Sequence, residues 1–446
     1  MHIFAGAETG KINCNTGDSL MGQLHIRRCD YILDDLEANC VFLSDGTSRI
    51  LLIGCDIALL LGDFVEKVKK NIEKRTAIPA ENIYIFCTHT HSGPVTAQIL
   101  PDDPVNDRYL CQLEKWLVDL AEKAQSKAVP AAIGYAKGNG LIGYNRRVCW
   151  MDGNHTMYGD TTKDGFAGLE GPQDPTHCVL SIVDKEGRHI AIIHNNACHS
   201  TCVENSNFAS ADFSGEARRL IRNILNREDL PVLYIQGASG DLSPWNLMHT
   251  GKRVPGIQRM KEIGAIVASE TIRLISLLHY EEEVVLKTAC EKIVMKVRLP
   301  DSEQLKKAKE IVDQGEKKAG RGNYVLQWSI LKLYEDFRDK PFEEIPLHAI
   351  RMGDCAIATN PYELYCQFGI DIRRRSPADV TMIGQLADGW YGYCPTVYGV
   401  LGGGYSGMTI YWTRHQMEAG YIVADICSRL LHKLWKQEES WRKNLQ

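Results

Sequence analysis

The 446-residue chain predicts a mixed α+β (α/β) fold in which mixed β-sheets are flanked by helices within one large domain. Three observations predict it. Short apolar runs of strand length alternate with longer amphipathic runs of helical spacing. No internal repeat or low-complexity tract interrupts them. Pro and Gly are spread evenly and mark no linker, so a single domain over 1–446 is the simplest organisation for a chain long enough to bury a large core.

RILLIGCDIALLL (49–61) reads as a buried strand leading into a helix through FVEKVKKNIEKRT, where Phe64, Val65, Val68 and Ile72 keep helical spacing. NIYIFCTH (82–89) is a second strand. The helical run YLCQLEKWLVDLAEKAQSKA follows, closed by Pro130. HCVLSIVD and HIAIIHNNACH flank KEGR as a hairpin whose second arm ends at His199. SGEARRLIRNIL is a helix that enters LPVLYIQGASGDLSP, a strand breaking into a Gly-rich loop, and Met260 to Leu278 is another amphipathic helix. Residues 301–340, charged and helical in period, form an exposed helical pair at the domain's edge. In the last third, HAIRMGDCAIATNPYELYCQFGIDIRRR predicts a hairpin, a turn at Asn360-Pro361 and a helix from about Tyr362.

Composition narrows the function. The chain is 44% hydrophobic and 24% charged, ordinary for a globular protein. With 51 basic against 56 acidic residues, its net charge of -5 offers no electrostatic reason to expect nucleic acid or an anionic membrane as partner. MHIFAGAETGKINCNTG lacks the basic and apolar regions of a signal peptide, and no apolar run is long enough to cross a bilayer, so the expected location is the cytoplasm. Fifteen cysteines, an odd number with no CxxC pair, read as reduced core thiols rather than a disulfide framework. Function must therefore come from a site.

Five stretches carry residues able to do chemistry. In CTHTHSGP (87–94), His89 and His91 stand two apart, and on a strand side chains two apart share a face, so both imidazoles can approach one metal ion. The Ser-Gly-Pro that follows makes a tight turn where the strand end opens. His199 lies among small polar residues in NNACHSTCVE, beside Cys198 and Cys202, which read as reduced buried thiols; the sequence does not specify whether either touches an ion. GASGDLSPW (237–245) leaves backbone amides free and sets Ser243 where a ligand can approach; its alternative is a turn capped by Asp241 and Ser243. It does not match the GxSxG nucleophile elbow. Glu363 in NPYELY suits the first turn of a helix as an ordinary favourable charge. DGWYGYCPTVYGVLGGGYSG packs Tyr391, Tyr393, Tyr398 and Tyr405 among seven glycines, the composition of a binding loop or lid.

Taken in order, these blocks resemble the N-terminal catalytic domain of the neutral/alkaline, non-lysosomal ceramidase family. THTHSGP (88–94) is similar to that family's most recognisable motif and YNRR (144–147) to its Asn-Arg block. ACHSTC (197–202) resembles its His-x-Thr-Ser block, QGASGDLSP (236–244) its Asp/Asn-x-Ser-Pro block, and PYELYCQFGIDIRRR (361–375) its Pro-Gly-Glu-Phe block. AGAETGKIN and GQLHIRRC are similar to its start, so the resemblance spans residues 4 to about 425.

The resemblance implies one zinc per chain, held by His89, His199, Glu363 and Tyr393, with Tyr391 a close rival to Tyr393. It implies that His91, Arg146, Ser243 and Tyr405 surround the scissile bond and that Asn145, Arg147, Asp241 and Tyr391 contact substrate. Zinc in such a set acidifies water to a pKa of about 7 and polarises a carbonyl. His91 is then the general acid for the departing amine, and Tyr405 or His91 donates to the oxyanion. Arg146 suits a polar or anionic substrate group, and Ser243 either positions substrate or acts as nucleophile. The implied activity is hydrolysis of a linear amide in a small N-acyl substrate, a ceramide-like N-acylsphingosine or a smaller N-acyl amine or amino acid. The alternatives are a metal-dependent ester or phosphoryl hydrolase, or a silent relative that keeps the metal.

Members of that family are typically exported and carry a C-terminal β-sandwich. This chain shows neither that domain nor an export signal, nor an amphipathic lipid anchor, so the expectation leans away from extracellular sphingolipid. The sequence does not specify an oligomeric state.

Overall fold

The computed structural model describes residues 2–249, 251 and 253–442, with side chains through residue 436. Eight strands form one mixed sheet. In spatial order they are Val232–Gln236, His189–Asn196, Thr176–Asp184, Val129–Asn139, Ile3–Lys11, Glu37–Ser44, Arg49–Cys55 and Ile83–Cys87. Four more, Leu286–Lys296, Phe342–Met352, Cys355–Thr359 and Val380–Gly384, form a second sheet. The fold is mixed α+β, as the alternation of apolar runs predicts.

Strand period places side chains on both faces. In Glu37–Ser44, Val41 and Leu43 point to one face while Cys40 and Phe42 point to the other, and all are buried. The Val41 face meets the second sheet: Leu52, Phe86, Ile133, Leu180, Ile193 and Ile235 of the large sheet pack against Leu286, Ile350, Ile357 and Met382 of the small one. The opposite face of the large sheet is covered by four helices, Gly62–Thr76, Asp107–Ser126, Asp212–Leu225 and Gly256–Ile275. Helices Cys366–Arg374 and Ala419–Arg442 cover the outer face of the small sheet. The architecture is thus four layers, helices, sheet, sheet, helices. Burial on both faces explains why runs such as ILLIGC and VLYIQ are continuously apolar rather than alternating.

Three parallel strand pairs position the site. Arg49–Cys55 runs parallel to Ile83–Cys87, His189–Asn196 to Val232–Gln236, and Cys355–Thr359 to Val380–Gly384. The segments leaving their C-terminal ends carry Ala58, His89, His199, Ser239, Glu363 and Tyr393, and they converge on one cleft where the two sheets meet. Ligand sites in open α/β sheets form outside the carboxyl ends of parallel strands for the same reason, because neighbouring connections diverge there and leave a crevice.

Several local expectations change. The strand carrying THTH ends at Cys87, before the first histidine. His89 has φ 60°, so its backbone is left-handed, and the shared-face argument for His89 and His91 does not apply. His199 lies beyond its strand, which ends at Asn196. Glu363 is not in a helical first turn: it sits in the two-residue strand Glu363–Leu364, ahead of the helix that begins at Cys366, because its neighbour is Tyr393 across a parallel bridge. Residues 301–340 are helical as expected, in Ser302–Asp313, Glu316–Ala319 and Arg321–Phe337, but the last of these buries Val325, Ile330 and Leu333. No helix among the described residues is long and apolar enough to cross a membrane.

Candidate metal centre

Three donor atoms form a nearly equilateral triangle at the base of the cleft. His89 Nε2 lies 3.0 Å from His199 Nε2 and 3.3 Å from Glu363 Oε2, and His199 Nε2 lies 3.4 Å from that same oxygen. His91 Nε2 joins from one side, 3.3 Å from His89 Nε2. His89, His91 and His199 together can hold a metal ion.

The hydrogen-bond partners dictate what these atoms are. His89 Nδ1 is 2.7 Å from the Ala58 carbonyl and His199 Nδ1 is 2.9 Å from the Ser239 carbonyl. A carbonyl only accepts, so both rings carry their proton on Nδ1 and present a bare lone pair at Nε2. Burial also pushes His199 and His91 well below the usual histidine range, with the Arg146 guanidinium adding to the effect, so both stay neutral. Glu363 Oε1 accepts from Trp390 Nε1 at 3.0 Å, whereas Oε2 is buried with no donor in hydrogen-bonding geometry.

Lone pairs packed this closely repel unless a cation lies between them. Four donors around zinc at about 2.0–2.1 Å stand about 3.3 Å apart, the spacing seen here, and imidazoles whose second nitrogen is bonded to a carbonyl are ordinary zinc ligands. The residues present fit that ion. The αL backbone at His89, which costs on the order of 1–3 kcal/mol, turns its ring into the triangle.

Tyr393 stands opposite Glu363 in the parallel bridge and Tyr405 packs edge-on against it, ring centroids 5.8 Å apart. Both line the cleft with His89, His91 and Glu363. Tyr391, two positions before Tyr393 and outside the strand Tyr393–Cys394, is separated from it by Gly392 at φ 81° and turns to Tyr362, His415 and Arg414 instead. Arg146 is buried and reaches the site directly: Nη2 donates to the Gly240 carbonyl at 2.8 Å and to Tyr393 Oη at 3.3 Å, and Nη1 donates to Tyr158 Oη at 3.1 Å. The same Nη2 is 3.2 and 3.4 Å from the two nitrogens of His199. In-plane lone pairs on one ring point apart, so the guanidinium lies over the ring face rather than capping Nε2.

The remaining candidates hold the frame. Asn145 Nδ2 donates to Asp241 Oδ2 at 2.9 Å, and Asp241 Oδ1 accepts from Cys366 N at 2.7 Å, tying two loops to the start of a helix. Burial pushes the Asp241 carboxyl up to about 7. Ser243 Oγ accepts from Trp245 N at 3.1 Å, a turn contact, and the residue does not line the cleft. Arg147 donates to Glu170 at 2.8 Å and to the carbonyls of Gly399 and Gly403, fastening the Tyr- and Gly-rich loop. Cys198 donates to the Ile142 and His199 carbonyls, and burial raises its thiol, as it does that of Cys202.

Four contributors escape sequence reasoning. Glu204 faces His91 Nδ1 at 3.2 Å, with its carboxyl pushed up to about 7 by burial against the pull of Arg146 and Arg27. Arg27 donates to the carbonyls of His91 and Met21. Trp390 and the Ala58 carbonyl complete the set. Glu204 lies five positions after His199 and Trp390 three before Tyr393, which are usable signals; Arg27 and Ala58 lie far from the proposed ligands in sequence and carry none.

No protein-family profile and no curated protein matches the chain. Solved structures do. The neutral ceramidase from Pseudomonas aeruginosa superposes with a TM-score of 0.76 at 17% identity, covering 98% of this chain and 75% of that one. A ceramidase complexed with C2 superposes with a TM-score of 0.73 at 17% identity, covering 98% and 76%. Along nearly its whole length, the chain therefore has the fold of the neutral ceramidases.

Proposed function

We propose that the protein is a zinc-dependent amidohydrolase that cleaves the amide bond of an N-acylated substrate. The observation that carries this reading is the triangle of unprotonated donors, His89, His199 and Glu363, opening into a cleft. One zinc per chain is held by these three with Tyr393 as the fourth ligand. Zinc bound there supplies Lewis acidity to a carbonyl and acidifies water to a pKa of about 7.

The chain's own residues do the rest. His91, oriented by Glu204, takes up the proton released by the attacking water and hands it on to the departing amine, ending neutral as it began. Tyr405, whose hydroxyl burial holds in the neutral form, donates to the oxyanion; losing one such donor costs on the order of 3 kcal/mol of barrier. Arg146 remains charged, since Tyr158, Tyr393 and Glu363 outweigh its burial, and it holds Tyr393 in place. Met21, Leu24, Leu59, Ile99 and Trp412 receive the acyl group. Residues 1–446 act as one catalytic domain, with the helices at about 301–340 an insertion within it. Fifteen unpaired cysteines support a cytoplasmic setting.

One observation favours a rival. His91 Nε2 lies as close to His89 as Glu363 does, so His91 as fourth ligand makes a closed, structural site of four protein donors and a silent binding protein. Zinc content of wild type and His199→Ala, with amide hydrolysis assayed alongside, tests both. About one zinc per wild-type chain with turnover supports the enzyme; zinc without turnover of any amide supports the rival.

A further inference from the structure

The helix Arg321–Phe337 joins the two lips of the cleft. At its N-terminal end, Arg321 Nε donates to the Leu24 carbonyl at 2.8 Å, and the guanidinium grips Asp102 at 2.7 and 2.9 Å. At the other end, Phe337 packs on Tyr411 with ring centroids 6.4 Å apart, Lys332 Nζ sits 4.9 Å from the centre of the same ring, and Arg414 lies 5.4 Å over Phe337. Leu24 lines the cleft on one lip, and Trp412, adjacent to Tyr411, lines it on the other. Seventeen helical residues span about 25 Å, enough to bridge both.

The space between the two lips, behind the open mouth, is small. The cleft beside the triangle has a cavity volume of about 50 Å³ and is walled by Met21, Leu24, Ile99, Trp390, Tyr405 and Trp412. A cavity of about 150 Å³ takes up benzene, so a third of that holds an acyl group of a few heavy atoms. The walls are set by packing: Trp412 is 2% exposed and Trp390 5%. A long chain would have to displace buried indoles or lift the helix off both lips, and close-packed interiors yield to that only at a cost felt for every added methylene.

Resting on the amidohydrolase reading, we infer that the substrate is a short-chain N-acyl amine, with an acyl group of about two to four carbons, and that the helix Arg321–Phe337 sets this limit. The polar amine portion extends through the mouth of the cleft, past Gln23.

The test is a chain-length profile on the zinc-loaded full chain with the 4-nitroanilides of acetate, butyrate, octanoate and palmitate, paired with calorimetric binding of the corresponding free carboxylates. Expected are kcat/KM values for acetyl and butyryl at least ~100-fold above palmitoyl, and carboxylate affinities in the same order. In Leu24→Ala and Arg321→Ala the octanoyl-to-acetyl ratio should rise about tenfold or more, while Lys309→Ala, on the outer face of the neighbouring helix, leaves it unchanged. A palmitoyl rate equal to or above the acetyl rate, or an octanoyl-to-acetyl ratio unmoved in both variants, overturns the length limit while the amidohydrolase reading stands. Hydrolysis of none of the four anilides overturns both.

Discussion

His89 Nε2 and His199 Nε2 lie 3.0 Å apart, although each ring donates its only proton to a backbone carbonyl on the far side. Two bare lone pairs at that distance repel, and a cation held between them would relieve the repulsion. His89→Ala, His199→Ala and Glu363→Ala are each expected to lower zinc from about one per chain to below about 0.1 with the helical circular dichroism unchanged. Elemental analysis decides it, and full occupancy in any of the three removes that residue from the ligand set.

The fourth donor is separable by the same measurement. Tyr393→Phe is expected to weaken zinc at least tenfold, and His91→Ala to keep the zinc and lose turnover. Trp390→Phe, which strips the hydrogen bond from Glu363 Oε1, should weaken zinc about 10–100-fold without abolishing it. Zinc lost from His91→Ala but retained by Tyr393→Phe would place the imidazole on the ion and favour the closed site.

Gly22 lies against the His91 ring. A Cβ built there would be 2.4 Å from His91 Cγ, and the residue has φ +111°, which disfavours any side chain. Gly22→Ala is therefore expected to push His91 out of line and cut kcat by ~100-fold or more while zinc content stays at the wild-type level. Equal kcat in the variant would show that the position of His91 is immaterial to the reaction.

Glu343 links acid sensitivity to a cluster outside the metal site. Burial works to raise its carboxyl, but Arg414 and His415 outweigh that and hold it down to about 2. A depressed carboxyl contributes stability that is fully present above its unfolded value of about 4.3 and is lost as pH falls toward 2. Glu343→Gln is expected to lower unfolding free energy by about 3 kcal/mol at pH 6, with the gap closing progressively between pH ~4 and ~2. Urea denaturation at several pH values measures it; a gap of constant size down to pH 3 contradicts the assignment.

Arg147, Glu170 and His155 form a buried knot that fastens the loop carrying Tyr405. Glu170 is within 2.8 Å of Arg147 and 2.6 Å of His155 Nδ1, all three side chains being nearly inaccessible. Arg147→Met should cost about 3–5 kcal/mol, because it leaves a buried carboxylate without its main partner. A double variant with Glu170→Gln should recover part of that loss. No recovery would mean that the arginine's contacts to Gly399 and Gly403, rather than the ion pair, carry the effect.

Strand and helix runs were legible because burial on one or both faces leaves a periodic imprint. ILLIGC, IYIFC and VLYIQ are strands buried on both sides, and the hairpin around KEGR and the helix SGEARRLIRNIL fall where apolar spacing places them. Local patterning does not encode where a strand stops, so the sequence reading carried THTH onto the strand and Glu363 into a helix.

The ordered motifs, through the family resemblance they carry as a set, implied His89, His199, Glu363 and Tyr393 as ligands and set the fold to expect, and the fold is that of the neutral ceramidases. Only the tertiary structure decided which of them meet. Donor convergence depends on three parallel strand pairs from two sheets ending side by side, on an αL turn at His89, and on backbone carbonyls of Ala58 and Ser239 that fix the tautomers. It also drew His91 and Glu204 to the cluster, turned Tyr391 away, and spent Asn145 and Asp241 on each other. Those outcomes are distances between segments remote in the chain. Sheet order and packing set them, and neither is written in any local run of residues.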